Sequence, residues 1–219
     1  MIKAVIFDMD GTILNTIEDI WVAVNHALKI KGQKEKSMDD IKLAVGNGAI
    51  KLIDRVAPPT YDDVERKELF HLYQNYYDQH NQIHTGPYEG IIPLLKKLKD
   101  RKIKLGVVSN KFEHLVQKLN EDVFLNLFDV AIGEMKGIPI KPAPDMLYQA
   151  LNHLHVMRDE TLFVGDSEVD IDTAKNAKIT SIGVTWGFRD KQLLIDHGAH
   201  YIIDHPDELL AIITKENTA

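Results

Sequence analysis

The chain has 219 residues and is 44 % hydrophobic, enough for one large domain with a sizeable core and a modest insertion. Its 26 basic and 33 acidic residues give a net charge of −7 and a pI near 5.8, which argues against nucleic acid or an anionic membrane as partner. With no cysteine, disulfides, thiolate metal sites, iron–sulfur clusters and cysteine nucleophiles are excluded.

The first apolar run, Lys3–Phe7, meets two aspartates by position 10, so it is too short for a signal peptide or a membrane span, and a cytoplasmic location is expected. It reads as a strand. The long interval that follows reads as helical. Ile17, Ile20, Trp21, Val24, Ala27 and Leu28 fall on one face and stop at Gly32. Ser37 with Asp40 can cap a short second helix. Ile50, Ile53 and Val56 mark a third, which Pro58-Pro59 cannot continue, and Val64, Leu69, Leu72, Tyr73, Tyr76 and Tyr77 mark a fourth. The chain is expected to cross into and out of this insert near residues 13–17 and 79–87, the second crossing containing Gly86-Pro87.

Beyond it, strand-length runs recur at Lys104–Val108, Asp129–Ile132, Thr161–Gly165, Thr180–Val184 and His200–Ile203, with helical patterns before the first (Ile91, Leu94, Leu95, Leu98) and third (Leu147, Ala150, Leu151, Leu154) of them. Strands that are apolar without period-two alternation and that alternate with helices indicate a parallel sheet covered on both faces. The expected fold is therefore α/β: a doubly wound, Rossmann-like parallel core formed by 1–14 and 84–219, with an inserted all-helical domain at 15–83.

Open parallel sheets bind ligands at the carboxyl ends of their strands, and four such ends carry chemistry. The first strand runs into Asp8-Met9-Asp10-Gly11-Thr12, two carboxylates that can divide nucleophilic attack from proton transfer. The second ends in Ser109-Asn110-Lys111, a hydroxyl and an amide ahead of a helix start, all able to donate to an anion. Past the third, Lys141 precedes Pro142, which biases it toward an extended conformation from which its ammonium can reach a strand-end site. The fourth ends in Gly165-Asp166-Ser167-Glu168-Val169-Asp170, where two acids at a strand–helix junction suit a hard divalent cation. Singly, each has a plain structural explanation as a turn, a cap or a solvated charge. In this order, they make the parts of a phosphoryl-transfer site.

These motifs resemble those of the haloacid dehalogenase superfamily of phosphohydrolases over essentially the whole chain. The resemblance implies that Asp8 is a nucleophile forming an aspartyl-phosphate and that Asp10 protonates the leaving group and then activates water. It implies that Ser109 and Lys141 hold the phosphoryl group, with Asn110, Gly11 and Thr12 beside them. Mg²⁺ would be bound by Asp8, the Asp10 backbone carbonyl and Asp166, with Asp170 as a further ligand or a support behind them. The helical insert resembles the family's C1 cap. Through Val45-Gly46-Asn47-Gly48-Ala49 and Ser109-Asn110-Lys111 the chain is most similar to the bacterial phosphoglycolate phosphatases.

The substrate expected is thus a small phosphorylated metabolite, 2-phosphoglycolate first, with Gly46, Asn47 and Gly48 helping to select it, and the protein a monomer or homodimer. Other phosphatases or pyrophosphatases of the superfamily are the nearest alternatives. Sugar-phosphate mutases are disfavoured by Asn15-Thr16 and by the lack of a matching cap arginine, and Ala177-Lys178 departs from the usual Ala-Gly at a helix end. A phosphoaspartate receiver shares an aspartate, Mg²⁺, Ser/Thr and lysine on a doubly wound sheet, but needs neither the insert nor Asp10. The ten histidines show no metal-ligand spacing. Tyr73, Tyr76 and Tyr77 fit a packing face of the cap, and Trp186 and Phe188, just after the fifth strand, are placed to border the site but are assigned to core packing.

Overall fold

The structure, a computed structural model, describes residues 1–218. Its strands are β1 (Ala4–Phe7), β2 (Leu14–Asn15), β3 (Gly86–Pro87), β4 (Lys104–Phe112), β5 (Val130–Glu134), β6 (Thr161–Gly165), β7 (Thr180–Val184) and β8 (Tyr201–Ile203). Six of them form one parallel sheet in the order β5-β4-β1-β6-β7-β8. The apolar runs become central strands because both faces are covered. Val5 and Phe7 of β1 join one apolar cluster and Ala4 and Ile6 the other, as the alternation of a pleated strand requires. β1 sits between β4 and β6, and from it the chain order runs outward in both directions. Its carboxyl end is therefore the switch point at which such sheets hold ligands.

Between β2 and β3 lie α1 (Ile17–Ile30), α2 (Met38–Ala44), α3 (Gly48–Val56) and α4 (Asp63–His80). The expected Ser37–Asp40 capping box starts α2, and a second box, Asp62 with Glu65, starts α4. These helices gather a third apolar cluster around Ile20, Val24, Leu28, Ile53, Leu69 and Tyr73. Two details differ from the sequence expectation. Ile50 and Val64 are 56 % and 64 % exposed, and Leu52 takes the inward position on α3. The two chain crossings also pair with each other, β2 antiparallel to β3. Asp19 reinforces that junction: its buried carboxylate accepts from the backbone N–H groups of Ile83, His84 and Thr85 and from the Thr85 hydroxyl.

The remaining helices are α5 (Ile91–Asp100), α6 (Glu113–Asp122), α7 (Asp145–Leu154), α8 (Glu168–Ala177), α9 (Lys191–Asp196) and α10 (Glu208–Thr218). β4 continues past the expected Val108 to Phe112, with its register against β5 broken between the two. That irregular end carries Ser109, Asn110 and Lys111. No helix among the described residues is long and apolar enough to cross a membrane.

Candidate active site

Asp8 follows β1, Asp166 follows β6, and Lys141 stands in the loop before α7, so all three meet at the switch point. The Lys141 ammonium donates to Asp170 at 2.6 Å and lies 2.7 Å from an Asp8 carboxylate oxygen. Asp170, one turn into α8, accepts through its other oxygen from the Ser167 N–H and hydroxyl. It is therefore fixed as the anchor of the lysine. Asp166 accepts from the Thr12 hydroxyl at 3.1 Å and from the Phe188 N–H at 2.7 Å. Gly11 permits this approach. Its φ is +87°, and a Cβ there would fall 2.4 Å from the Asp166 carboxylate.

Three buried carboxylates, those of Asp8, Asp166 and Asp170, offer oxygens within 4.8 Å of one another. One ammonium stands among them. Burial, reinforced by the charge of Asp170 and only partly offset by Lys141, pushes Asp8 from an ordinary 3.8 up to about 7. Burial and then the charges of Asp170 and Asp8 raise Asp166 well above the carboxylate range. Burial pulls Lys141 down, but Asp170 and Asp8 outweigh it and hold the ammonium above its usual range. The chain thus leaves negative charge uncompensated in an all-oxygen cluster, a donor set that fits a hard divalent cation such as Mg²⁺.

Asp10, two residues after Asp8, has a different partner. Both of its oxygens, at 2.9 and 3.2 Å, accept from Lys111, whose ammonium also donates to the Tyr77 hydroxyl of α4 at 2.7 Å. The Ser109 hydroxyl lines the same cavity and accepts from the Lys111 N–H. Asn110 is engaged with backbone: its amide nitrogen donates to the carbonyls of Lys141 and Gly46, each at 3.0 Å, and its oxygen accepts from the Lys141 N–H at 2.8 Å. Asn110 therefore holds the lysine loop and tethers the helical insert.

The cavity measures about 60 Å³. That is room for a few water molecules. Gly46 and Gly48 line its roof, whereas Asn47 lies outside the lining and its amide oxygen accepts from Arg55 at 2.6 Å. Gly11 and Thr12 also lie behind the wall. The Thr12 hydroxyl serves Asp166, and its carbonyl accepts from the Trp186 indole at 2.9 Å.

Four residues without an expected site role prove to belong here. Phe188, expected in the core, lines the cavity. Arg189, beside it, donates through Nε to Glu168 at 3.0 Å and through its Nη atoms to the carbonyls of Lys42 and Val45, closing the core onto the end of α2. Lys111 and Tyr77 join Asp10 as described. The strand-end rule that singles out the other loops applies equally after β7, so residues 185–190 carried a readable signal. Tyr77 carried none, because its partner is 34 residues away.

Residues 5–184 match the family model of the haloacid dehalogenase-like hydrolases, and the chain belongs to that family. A Colwellia psychrerythraea phosphoglycolate phosphatase is 30 % identical to it, with 97 % of each chain covered. Pyrophosphatase PpaX of Bacillus mycoides is 27 % identical over 99 % of each. Among solved structures, a candidate phosphoglycolate phosphatase from Lactobacillus delbrueckii superposes with a TM-score of 0.90 at 39 % identity, covering 94 % of this chain and 96 % of that one.

Proposed function

We propose that the protein is a Mg²⁺-dependent phosphomonoester hydrolase acting through an aspartyl-phosphate on Asp8, with 2-phosphoglycolate as first candidate substrate. The observation that carries the reading is the cluster of Asp8, Asp166 and Asp170 around the Lys141 ammonium at the sheet's switch point. An Asp8 oxygen attacks phosphorus while the bond to the leaving oxygen breaks, and that oxygen takes a proton from Asp10. Asp10, now a carboxylate, accepts a proton from water as the water attacks the phosphoryl group, releasing phosphate and restoring Asp8. Lys141 and the Ser109 hydroxyl hold the anionic oxygens throughout. Asp8, the Asp10 backbone carbonyl and Asp166 would hold Mg²⁺, which would supply the positive charge that lets a carboxylate approach a phosphate.

The helical insert acts as a cap that opens to admit substrate and closes to exclude water. Gly46 and Gly48 form its inner surface, and Asn47, bonded to Arg55, supports that loop from behind. The small cavity favours a compact substrate, and the similarity to a pyrophosphatase adds pyrophosphate as the second candidate.

Phosphate release measured over a panel of phosphorylated metabolites with Mg²⁺ tests the reading. Turnover on a compact ester, lost with chelator and with Asp8→Asn, is expected. Full activity in either Asp8→Asn or exhaustively demetallated protein would refute it.

A further inference from the structure

Three cations line the cavity: Lys141, Arg189 and Lys111. Lys141 is bound to Asp8 and Asp170 at the phosphoryl end. The Arg189 guanidinium is engaged by Glu168 and by the carbonyls of Lys42 and Val45. Of the three, only Lys111 pairs with Asp10, beside which the leaving group would sit. Its side chain is 4 % exposed, and its ammonium donates to Asp10 and the Tyr77 hydroxyl. The lining also includes the apolar side chains of Ile20, Leu52, Phe112, Leu115 and Phe188.

Resting on the phosphatase reading above, we propose that Lys111 and Tyr77 select substrates whose leaving group carries its own anion, bonded to the bridging oxygen directly or through one methylene. The Lys111 ammonium lies 2.9 and 3.2 Å from the oxygens of Asp10, the acid that meets the bridging oxygen. An anion that close to the bridging oxygen comes within hydrogen-bond reach of the ammonium. The Tyr77 hydroxyl adds a second donor. It accepts from Lys111, and among the described residues nothing accepts its own proton. Burial, followed by the charges of Asp10, Asp19 and Asp78, keeps that phenol protonated. A carboxymethyl ester and a diphosphate both satisfy this geometry. A sugar phosphate does not, because its hydroxyls would face apolar wall and lose their hydrogen bonds. Tyr77 comes from the cap and Lys111 from the core, so the bound anion bridges both parts and reads closure together with charge.

The test compares kcat/KM for 2-phosphoglycolate with that for its neutral amide, 2-phosphoglycolamide, at fixed ionic strength with Mg²⁺, and uses p-nitrophenyl phosphate as a general reporter. Wild type is expected to prefer the charged ester about 10- to 100-fold, the worth of one hydrogen bond to a charged group. Lys111→Gln should bring that ratio near unity, beyond any loss common to both esters, while Lys111→Arg keeps the preference. Tyr77→Phe, which preserves the ring's packing, should lower the ratio several-fold. Equal treatment of the two esters by wild type overturns the proposal whatever the variants do, as does an unchanged ratio in Lys111→Gln. If wild type hydrolyses p-nitrophenyl phosphate but shows no preference, this inference alone falls. If no ester at all is hydrolysed, the phosphatase reading falls and the inference with it.

Discussion

Asp8 faces two conflicting demands in the metal-free protein: the proposed mechanism needs it ionised, yet it is buried beside other carboxylates. Its pKa in the folded state is pushed from 3.8 to about 7, so the folded chain keeps a proton there that the unfolded chain gives up. The sign follows from linkage: stability tied to that proton is fully present below the unfolded value and is lost as pH rises through the folded one. Metal-free wild type should therefore lose stability relative to Asp8→Asn as pH climbs from about 4 to about 7. Urea unfolding in chelator at several pH values measures this, and parallel profiles for the two proteins would contradict it. In catalysis the two aspartates separate differently. Asp8→Asn should abolish turnover because an amide cannot be the attacking carboxylate. Asp10→Asn should slow the proton-transfer steps by about 10²- to 10⁴-fold. Single-turnover measurements distinguish them, since only the second variant would still form the phosphorylated intermediate.

At the scale of elements, the loop after β7 reaches across to the cap, and Arg189 is its latch. The guanidinium takes the carbonyls of Lys42 and Val45 at 2.5 and 2.7 Å, supplying donors to the exposed end of α2 that the helix itself lacks. Its side chain is only 7 % exposed. Arg189→Met should therefore shift the cap toward the open form by about 10-fold or more, on the scale of charged hydrogen bonds. Hydrogen exchange at residues 13–17 and 83–87 should then speed up, and KM should rise. Unchanged exchange at those junctions would show that the latch contributes nothing to closure. Such contacts also mark the limit of what the sequence discloses. The strands of the sheet were readable because buried parallel strands are continuous apolar runs, and Asp8, Lys141 and Asp166 were readable because each follows a strand or precedes a helix at the same sheet edge. Ser109-Asn110-Lys111 was legible as a strand-end motif, but the continuation of β4 through it to Phe112 was not, since that stretch is polar and breaks register. Neither was the β2–β3 pair, two residues each and without a hydrophobic pattern. Arg189 pairs with a residue 144 positions away, a separation no local pattern encodes.

In the whole molecule, the sheet, the cap and the acidic cluster converge on a single cavity of about 60 Å³, and a bound divalent cation would tie that site to global stability. The carboxylates of Asp8 and Asp166 come from loops after β1 and β6, adjacent strands at the centre of the sheet, so a cation bridging them links the core's main elements. Asp166 is held far above the usual carboxylate range by burial and by its acidic neighbours, which a divalent charge would relieve. A cation that binds only the folded state stabilises it by about 2.7 kcal/mol at 100 times its dissociation constant, which for a chain of this size raises Tm by about 5–10 °C. Thermal unfolding without any substrate measures this independently of turnover. Mg²⁺ should raise the Tm of wild type, and Asp166→Asn should lose most of that rise. Metal-free, Asp166→Asn should match or exceed wild type in Tm, because removing one of three crowded carboxyls eases their repulsion while the amide oxygen still accepts from the Phe188 N–H and the amide NH₂ can donate to the Thr12 hydroxyl, which reverses its role. A wild-type Tm indifferent to Mg²⁺ would show that the acidic cluster holds no cation, and a full Mg²⁺ response in Asp166→Asn would place the ion elsewhere.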